Sequence, residues 1–417
     1  MSFGEALGYL KEIKMKANDH HFAWRQWQAG TIFRFAILWY SYVASLFLPC
    51  SIIYAQDLTV NSYYGQYDAS RKKPGFPSES LTGPQTEQWI ATLPARQYHI
   101  GVLLPHLNDS YWETANFGII NHGRKLGLRI TVYLAGAYTD LGNQRSQLAT
   151  LVSQDKIDGV ILASVDYKKM DPFVAEAEKA GVPVVALIND IYAPAIKAKS
   201  MVSFFEMGYK AGVYVLKHAR QHDFSVAFFP GPRESGWAAD TYHGFLQAIA
   251  EKNERRQNIR VFPALYGDTR RDVQQMRLDV LNKTDYHGVD YIVGNAVAAV
   301  EAVAYLEKHR DIHPKAQIVA TYLTATVYEQ IQKGRILAAP SDQIISQSRI
   351  ALDMMVRILN GERAGDDFPF RVSALIPLIT TENVDNYEYE KLFGDRHFQP
   401  VYSEFNHFIP TAQPSTR

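Results

Sequence analysis

A carboxylate and two large aromatic side chains lie close together in the sequence, at Asp109, Tyr111 and Trp112. The residues before them form an apolar run typical of a strand, and Ser110 and Glu113 have the spacing of a capping box, which predicts a helix beginning at Ser110. Aromatic faces attract cations and the carboxylate supplies the opposite charge. The cluster therefore predicts a site for a ligand with a methylated cationic nitrogen.

The same three residues also have a purely structural interpretation. First-turn side chains after a strand face a cleft more readily than a core, so we expect Trp112 to contribute little core packing. Alternatively, Tyr111 and Trp112 shield the end of the sheet and Asp109 only caps the helix backbone. An indole buried beneath its own lobe, together with an empty hydrophilic gap between the lobes, would favour the second interpretation.

Further polar and aromatic residues follow other predicted strands or the predicted crossover between two halves of the chain. They are Phe204, Arg233, Trp237, Asn295, Tyr322 and Asp342. Taken singly, Asn295 and Asp342 are good helix N-caps and Phe204 is suited to pack at a hinge. Their recurrence at strand ends is more specific, because such a fold brings those ends to one cleft. All six join the first three as candidate ligand-binding residues.

Several protein classes are excluded by residue types and composition. No P-loop, dinucleotide-binding, zinc-protease or nucleophile-elbow motif is present, and no spacing indicates a nucleophile with a base or paired catalytic carboxylates. One cysteine in 417 residues excludes a cysteine-ligated zinc or iron–sulfur site, and the 13 histidines are scattered. The 43 basic and 43 acidic side chains balance, which argues against nucleic-acid binding. We expect a non-catalytic protein without metal or cofactor.

The N-terminal region has the features of an export segment. No charged residue occurs from Phe35 to Gln56, the first part of this stretch is almost continuously apolar, and Arg34 precedes it. A small residue, Ala55, suits a cleavage site, which predicts a signal peptide over residues 1–55 and a periplasmic location. An uncleaved membrane anchor is the alternative, because about 20 apolar residues can span a bilayer.

Apolar, β-branched runs alternate with segments of helical period along the rest of the chain. The predicted strands form two groups of four, near residues 98–104, 128–134, 158–163 and 183–188, then 224–229, 259–265, 289–294 and 317–321. This alternation predicts two α/β lobes, each a doubly wound parallel sheet, joined by a multi-strand hinge. Ligands of such sheets bind at the carboxyl ends of the strands, so facing lobes would enclose a ligand.

Composition and strand grouping also give predicted domain boundaries. The polar lead-in over residues 56–97 is rich in proline, and we expect loops there with a short helix near Glu87–Leu93. The boundaries are a signal peptide over 1–55, the lead-in over 56–97, a first lobe from 98–201 plus 322–340, a second lobe from 202–321 plus 341–380, and a C-terminal tail over 381–417.

Several short segments recur in order in a known family. They are LNDSYW (107–112), AGAY (135–138), APAIKAK (193–199) followed by MGY (207–209), GP (231–232), YL (322–323) with VY (327–328), SDQ (341–343) and FQPVY (398–402). Over about residues 98–380 the chain resembles the type I periplasmic binding proteins. It is most similar to members that serve a sensor histidine kinase controlling trimethylamine N-oxide respiration.

The resemblance implies a protein that binds trimethylamine N-oxide or a similar small methylated amine. It also implies docking on the periplasmic domain of a sensor histidine kinase, with contact to the membrane only through that partner. The family's cage is aromatic with an acidic residue at its start, and its motif positions match Asp109, Tyr111, Trp112 and Tyr322.

The chain departs from the family pattern at several candidate positions. Phe204 stands where the family has tryptophan, which is a better cation–π face. Thr324-Ala325 replaces a Ser-His pair, and Arg233 and Trp237 stand where smaller or acidic residues are usual. The ligand's oxygen needs a hydrogen-bond donor, for which Arg233, Trp237 and Asn295 are the candidates.

A sugar-binding protein of an ABC importer is the alternative function. Sugar clefts also stack aromatic rings on the ligand, but they add many hydrogen bonds from carboxylate, amide and guanidinium groups. The residues that could supply these are Asn189, Asp190, Arg233, Asn295 and Asp342. A DNA-binding repressor with the same core is excluded by the export segment and the absence of a helix-turn-helix.

Overall fold

Two sheets flanked by helices form the part of the chain that the computed structural model describes, namely residues 58–73, 76–154, 156–219, 223–253 and 258–405. The predicted signal peptide, residues 1–55, lies outside these ranges. Within them, no helix combines the length and hydrophobicity that crossing a bilayer requires. The predicted architecture of two α/β lobes with parallel-dominated sheets is confirmed.

The strands and helices alternate through most of the chain. The strands are β1 (Leu58–Tyr64), β2 (Thr82–Trp89), β3 (His99–Leu104), β4 (Arg129–Leu134), β5 (Gly159–Leu162), β6 (Val184–Leu187), β7 (Ala198–Ser200), β8 (Phe224–Phe229), β9 (Ile259–Val261), β10 (Tyr291–Gly294), β11 (Gln317–Ala320), β12 (Ala338–Pro340), β13 (Arg371–Ala374), β14 (Leu378–Thr380) and β15 (Ser403–Phe405). The helices are α1 (Ser110–Lys125), α2 (Leu141–Ser153), α3 (Asp171–Lys179), α4 (Phe204–Ala219), α5 (Trp237–Lys252), α6 (Arg271–Leu278), α7 (Ala296–Lys308), α8 (Ala325–Gln332), α9 (Ile344–Leu359) and α10 (Tyr389–Phe393).

The first lobe contains a nine-stranded sheet in the order β15-β4-β3-β5-β6-β7-β13-β1-β2. Its pairs from β4 to β13 are parallel, whereas β15, β1 and β2 join antiparallel. Every residue of β5 and β6 is buried. Such continuous apolar strands are typical of a parallel sheet covered by helices on both faces.

The second lobe contains a six-stranded sheet in the order β14-β12-β11-β10-β8-β9. Only β14 is antiparallel to its neighbour. Helices α4 and α5 cross closely beside this sheet. A Cβ atom on Gly208 would lie 1.9 Å from the Thr241 carbonyl oxygen, and one on Gly244 would lie 1.9 Å from the Phe205 carbonyl oxygen. Glycine is therefore required at both positions of this crossing. The close packing of the two helices fixes the positions of their first residues, Phe204 and Trp237.

Residues 201–203, 341–343 and 375–377 connect the lobes, and two predicted boundaries need correction. The sequence assigns residues 322–340 to the first lobe, but β12 pairs with β11 and β14 of the second sheet. The segment after 341 was expected in the second lobe, yet α9 packs on β5, β6, β7 and β13 of the first. Both α9 and these strands are largely apolar, and each buries the other's face.

The prediction that the lead-in is rich in loops, with a short helix near Glu87–Leu93, is also wrong. Strand β1 pairs with β13 and β2 pairs with β1, so the lead-in extends the sheet of the first lobe. Most of β2 is polar and exposed, as suits an edge strand. Because it lacks alternating apolar residues, the usual sequence signal for a strand is absent.

Candidate ligand-binding cavity between the lobes

A cavity lies between the two lobes, at the carboxyl ends of their strands. About 290 Å³ of space not filled by atoms lies among the side chains of this inner cavity, part of it continuous with open solvent, and the enclosed room is about that of one water molecule. The lining residues are Asp109, Tyr111, Trp112, Tyr138, Asn189, Phe204, Trp237, Thr269 and Tyr322. All of them belong to segments that follow a strand, which is where open α/β sheets bind ligands. The structure thus brings six of the nine predicted site residues together.

Asp109 has two roles at the start of α1. Its Oδ1 accepts hydrogen bonds from the backbone N–H groups of Tyr111 (3.1 Å) and Trp112 (3.3 Å), so Asp109 rather than Ser110 is the N-cap. The helix does begin at Ser110, as predicted. Burial raises the pKa of the Asp109 carboxyl, against the opposing effects of His106 and of the two N–H donors. Asp109 therefore caps α1 and also contributes a carboxylate to the cavity.

Aromatic rings from both lobes meet around the inner cavity. The ring centroid of Tyr111 lies 5.1 Å from that of Trp112 and 5.2 Å from that of Tyr322, and Tyr322 lies 5.7 Å from Trp237. Tyr138 of the first lobe is 6.2 Å from Trp237 of the second. These contacts are edge-to-face, an arrangement that aromatic pairs favour. The rings form a cage in which the lobes touch each other.

Trp112 lines the cavity and is also part of the core. Its side chain is only 2% exposed and belongs to the main hydrophobic cluster of the protein. The expectation that it contributes little to packing is therefore wrong. The reason is that the indole packs edge-to-face against the rings of Tyr111 and His106, with centroids 5.1 Å and 6.5 Å away.

Trp237 places a hydrogen-bond donor at the cavity. Its ring is 5% exposed, and its indole Nε1 is buried near the Tyr138 hydroxyl, without a hydrogen bond of normal geometry in the described part of the chain. Phe204 lies beside it, with ring centroids 5.9 Å apart. Gly231 has φ +116° and a Cβ there would lie 2.4 Å from the indole, so glycine makes room for this ring. A buried, unpaired N–H group is unfavourable unless a ligand satisfies it.

Asp342 lies behind the cage rather than in it. Its Oδ2 accepts a 2.5 Å hydrogen bond from the Tyr111 hydroxyl and a longer one from the Gln347 amide. It is not the N-cap of α9, because Gln343 occupies that position with φ +51°. Burial raises the pKa of Asp342 to about 6. The prediction that Asp342 lines the ligand site is therefore wrong, and its contact with the site is through Tyr111.

Two other predicted residues also lie outside the cavity. Arg233 is exposed and its guanidinium stacks 3.8 Å from the centre of the Tyr266 ring. Asn295 caps α7, accepting from the Ala298 N–H, and its amide donates to the Phe229 carbonyl. The capping interpretation of Asn295 is the correct one. Of the three donors considered for a ligand oxygen, only Trp237 lines the cavity.

Three lining residues were not among the predicted set. Tyr138 and Asn189 follow β4 and β6, so their strand-end positions were a usable signal, whereas Thr269 lies in a loop without a distinctive pattern. The Asn189 amide donates to the Tyr138 hydroxyl (3.2 Å) and to the Ser164 carbonyl (2.8 Å). These bonds fix the orientation of the Tyr138 ring.

The cage phenols are uncharged at neutral pH. Burial raises the pKa values of Tyr111, Tyr138 and Tyr322, and nearby carboxylates raise them further. The rings therefore supply neutral π faces, and the carboxyl of Asp109 is the acidic group of the lining. No cluster of metal-ligating side chains occurs in the described ranges. The cavity therefore combines neutral aromatic rings with one carboxyl group.

Comparison with known proteins identifies the class. Residues 100–363 match the model of the periplasmic binding protein domain, and the chain therefore belongs to that family. Its members are binding proteins rather than enzymes. The resemblance stated from the sequence is confirmed.

One curated relative and two solved structures show which periplasmic binding proteins the chain is similar to. The periplasmic protein TorT of Escherichia coli K12 is 29% identical over 307 residues, which cover 74% of this chain and 85% of TorT. A crystal structure of the TorS sensor domain–TorT complex without ligand has a chain with 25% identity and a TM-score of 0.64, covering 73% of this chain and 100% of that one. An ABC transporter solute-binding protein from Bradyrhizobium sp. BTAi1 with bound bis-tris has 28% identity and a TM-score of 0.67, covering 83% and 98%. The chain is thus a TorT-like periplasmic binding protein.

Proposed function

We propose that this protein binds trimethylamine N-oxide or a similar small methylated amine in the inner cavity and reports it to the sensor domain of a histidine kinase. The observation that carries the proposal is the ring of aromatic side chains from both lobes, with the Asp109 carboxylate at its edge. Cation–π contacts of this kind contribute about 0.5–2 kcal/mol each, and more when water is excluded.

The two ends of such a ligand need different partners, and the cavity has both. The methylated nitrogen carries positive charge, for which the faces of Tyr111, Trp112 and Tyr322 and the charge of Asp109 are suited. The oxygen carries negative charge and needs a donor. In our proposal that donor is the Nε1–H of Trp237, which makes no hydrogen bond of normal geometry within the described residues.

The relatives support both parts of the proposal. TorT has been crystallised with the TorS sensor domain, in the absence of ligand and in the presence of TMAO. The Bradyrhizobium protein holds bis-tris, a tertiary amine that also carries five hydroxyl groups. We therefore propose a periplasmic location, a kinase sensor domain as partner, and export by the N-terminal segment. Because the cage is formed by both lobes, ligand and partner would favour the same closed arrangement.

A sugar-binding protein of an importer is the second candidate, because the fold is shared with such proteins. Most polar residues considered for a sugar are engaged within the protein. Asp190 pairs with Lys199 at 2.8 Å, Arg233 stacks on Tyr266 and Asn295 caps a helix. Fewer groups are thus left for sugar hydroxyls, which favours the amine.

Calorimetry with the purified protein tests the proposal. Trimethylamine N-oxide, tetramethylammonium and a panel of monosaccharides are titrated into the protein, alone and with the kinase's sensor domain. The second format is needed because a free protein that populates its competent state only in part shows reduced affinity. Absence of heat from both amines in both formats would remove the ligand claim, and tight binding of a saccharide would favour the importer.

The variant Trp237→Phe tests the donor role of the indole. It keeps a ring but removes the N–H group, and a hydrogen bond to a charged oxygen contributes about 1.5–3 kcal/mol. We expect an affinity loss of about tenfold or more for trimethylamine N-oxide, and a smaller loss for tetramethylammonium, which has no oxygen. Tyr402→Phe, at an exposed tyrosine outside the cavity, is the control. Equal losses for both ligands would contradict the donor role.

A further inference from the structure

A second, larger cleft lies directly outside the inner cavity. This outer cleft has about 1160 Å³ of space that includes open solvent. Asp109 of the first lobe and Thr269 of the second line both spaces, so these two residues form the boundary between them. Because the enclosed room of the inner cavity is about that of one water molecule, a larger ligand must extend to this boundary if the rings keep their positions.

Thr269 presents an unsatisfied hydroxyl group at the boundary. The residue is 6% exposed, and its Oγ1 is buried without a hydrogen-bond partner among the residues that the structure describes. A hydroxyl oxygen accepts hydrogen bonds as well as donating them. A buried polar group without a partner is unfavourable, so a ligand group that donates a hydrogen bond would stabilise this one.

The neighbouring residue Asp268 also has an oxygen that is not hydrogen-bonded. Its side chain is 9% exposed, and its Oδ1 accepts a 2.9 Å hydrogen bond from the Arg270 backbone N–H. Its Oδ2 is buried without a partner in the described ranges. Burial raises the pKa of Asp109, and the charge of Asp268 adds to that effect. Carboxylates from the two lobes thus lie near one another, and a cation beside them would relieve their repulsion.

The other charges of the outer cleft also favour a cation. Arg271 is 2.7 Å from Glu301, and Arg270 lies 3.9 Å from each of two carboxylates, so acidic groups balance the charge of both arginines. The first lobe adds Asp109 and Glu113 to the lining. Only Oδ1 of Asp109 accepts the capping hydrogen bonds, which leaves its Oδ2 for a ligand.

We propose that the preferred ligand is a protonated methylamine, whose N–H group binds at the boundary between Asp109 of the first lobe and Thr269 of the second. This inference rests on the proposed function, because the methyl groups must contact the aromatic cage. It narrows the ligand class to methylated ammonium ions that retain at least one N–H group. The Asp109 Oδ2 and the Thr269 Oγ1 accept from the nitrogen, and the charge of Asp268 stabilises the cation.

Calorimetry near pH 7 with three probes tests the inference. Trimethylammonium has a charge and an N–H group, tetramethylammonium has the charge alone, and trimethylamine N-oxide has no net charge. We expect trimethylammonium to bind about tenfold more tightly than tetramethylammonium, because only the first donates a charge-assisted hydrogen bond. The titrations are made with the protein alone and with the kinase's sensor domain.

The outcomes separate this inference from the proposed function. If trimethylammonium binds no more tightly than tetramethylammonium, or if only trimethylamine N-oxide binds, the inference is overturned and the proposed function stands. Absence of binding by all three probes in both formats would overturn both.

The variant Thr269→Val tests the hydroxyl acceptor. It replaces the hydroxyl with a methyl group of similar size. The preference for trimethylammonium over tetramethylammonium should fall about fivefold, because one acceptor of the N–H group is lost. An unchanged preference would contradict the role of Thr269.

The variant Asp268→Asn tests the charge. It keeps an oxygen for the Arg270 N–H and should weaken both ammonium ions by about tenfold, since it removes a nearby negative charge. Trimethylamine N-oxide, without net charge, should change by about twofold or less. Asp272→Asn is the matched control, because its side chain is 71% exposed, also lies 3.9 Å from Arg270 and lines neither space. Equal losses in the two variants would overturn the role of Asp268.

Discussion

Asp342 is hydrogen-bonded to a residue of the cavity, and its raised pKa makes the stability of the protein depend on pH. Its Oδ2 accepts from Tyr111 and its Oδ1 is buried without a partner in the described structure. Burial raises its pKa from 3.8 to about 6. A raised carboxyl pKa means that the folded protein binds this proton more tightly than the unfolded chain. The associated stability is complete below the unfolded pKa and is lost as pH rises through about 6.

Asp342→Asn should remove this dependence on pH. A shift of about two pKa units corresponds to about 3 kcal/mol in the free energy of unfolding. The free energy of unfolding of the variant minus that of the wild type should therefore rise by about 2–3 kcal/mol from pH 4 to pH 7. Urea unfolding measures this difference. The difference between the two proteins isolates this group, because Asp171, whose pKa is also raised to about 6, is present in both.

The exposed Asp272→Asn provides the control for this measurement. Its stability difference from the wild type should be constant over the same range. A constant difference for Asp342→Asn as well would show that Asp342 does not titrate in this window.

Helix α1 is capped by Asp109, to which our proposal also gives a role in ligand binding. Asp109→Ala removes the acceptor of two backbone N–H groups and should cost about 0.5–2 kcal/mol of stability. Asp109→Asn retains an equally good cap but removes the charge. We expect Asn to leave the melting temperature nearly unchanged while lowering the affinity for a methylated amine about tenfold, as measured by thermal unfolding and calorimetry. If Asp109→Asn binds the amine as tightly as the wild type, the charge of Asp109 has no role in binding and the residue acts only as a helix cap.

The segment between β1 and β2 fixes one turn of the first lobe. The Lys72 ammonium is 2.8 Å from Asp190 and its side chain is 1% exposed. Lys199, also buried, donates to the other Asp190 oxygen and to the Tyr67 hydroxyl. These interactions hold the turn next to Asn189 of the cavity. The two lysines keep the pKa of Asp190 below its usual value, despite the cost of burial.

Lys72→Met should therefore destabilise the whole protein by about 2 kcal/mol, because the partly buried Asp190 keeps Lys199 but loses its other cationic partner. Lys73→Met is a matched control one residue away, at a lysine whose side chain is 65% exposed, and should change stability by about 0.5 kcal/mol or less. Chemical unfolding measures both. Similar values for the two variants would show that the lead-in does not stabilise the first lobe.

The sequence alone determined the fold class, the start of α1 and most of the aromatic cage. These features are local: strand and helix periods depend on neighbouring residues, and the residues after a strand must lie at its carboxyl end. Asp109, Tyr111 and Trp112 could be placed together because a single helix turn carries them. Tyr322 was named because it follows a predicted strand, and the resemblance to a known family then grouped it with these three residues.

Only the tertiary structure decided which strand-end residues share the cavity. Tyr111 and Asp342 are 231 positions apart, and the connection passes through both lobes. Arg233 and Asn295 also follow strands, but a neighbouring ring and a helix terminus engage them. Thr269 lines the cavity because the loop between β9 and α6 passes beside it. Such contacts depend on how the two lobes pack, which requires the complete chain, and no local pattern encodes them.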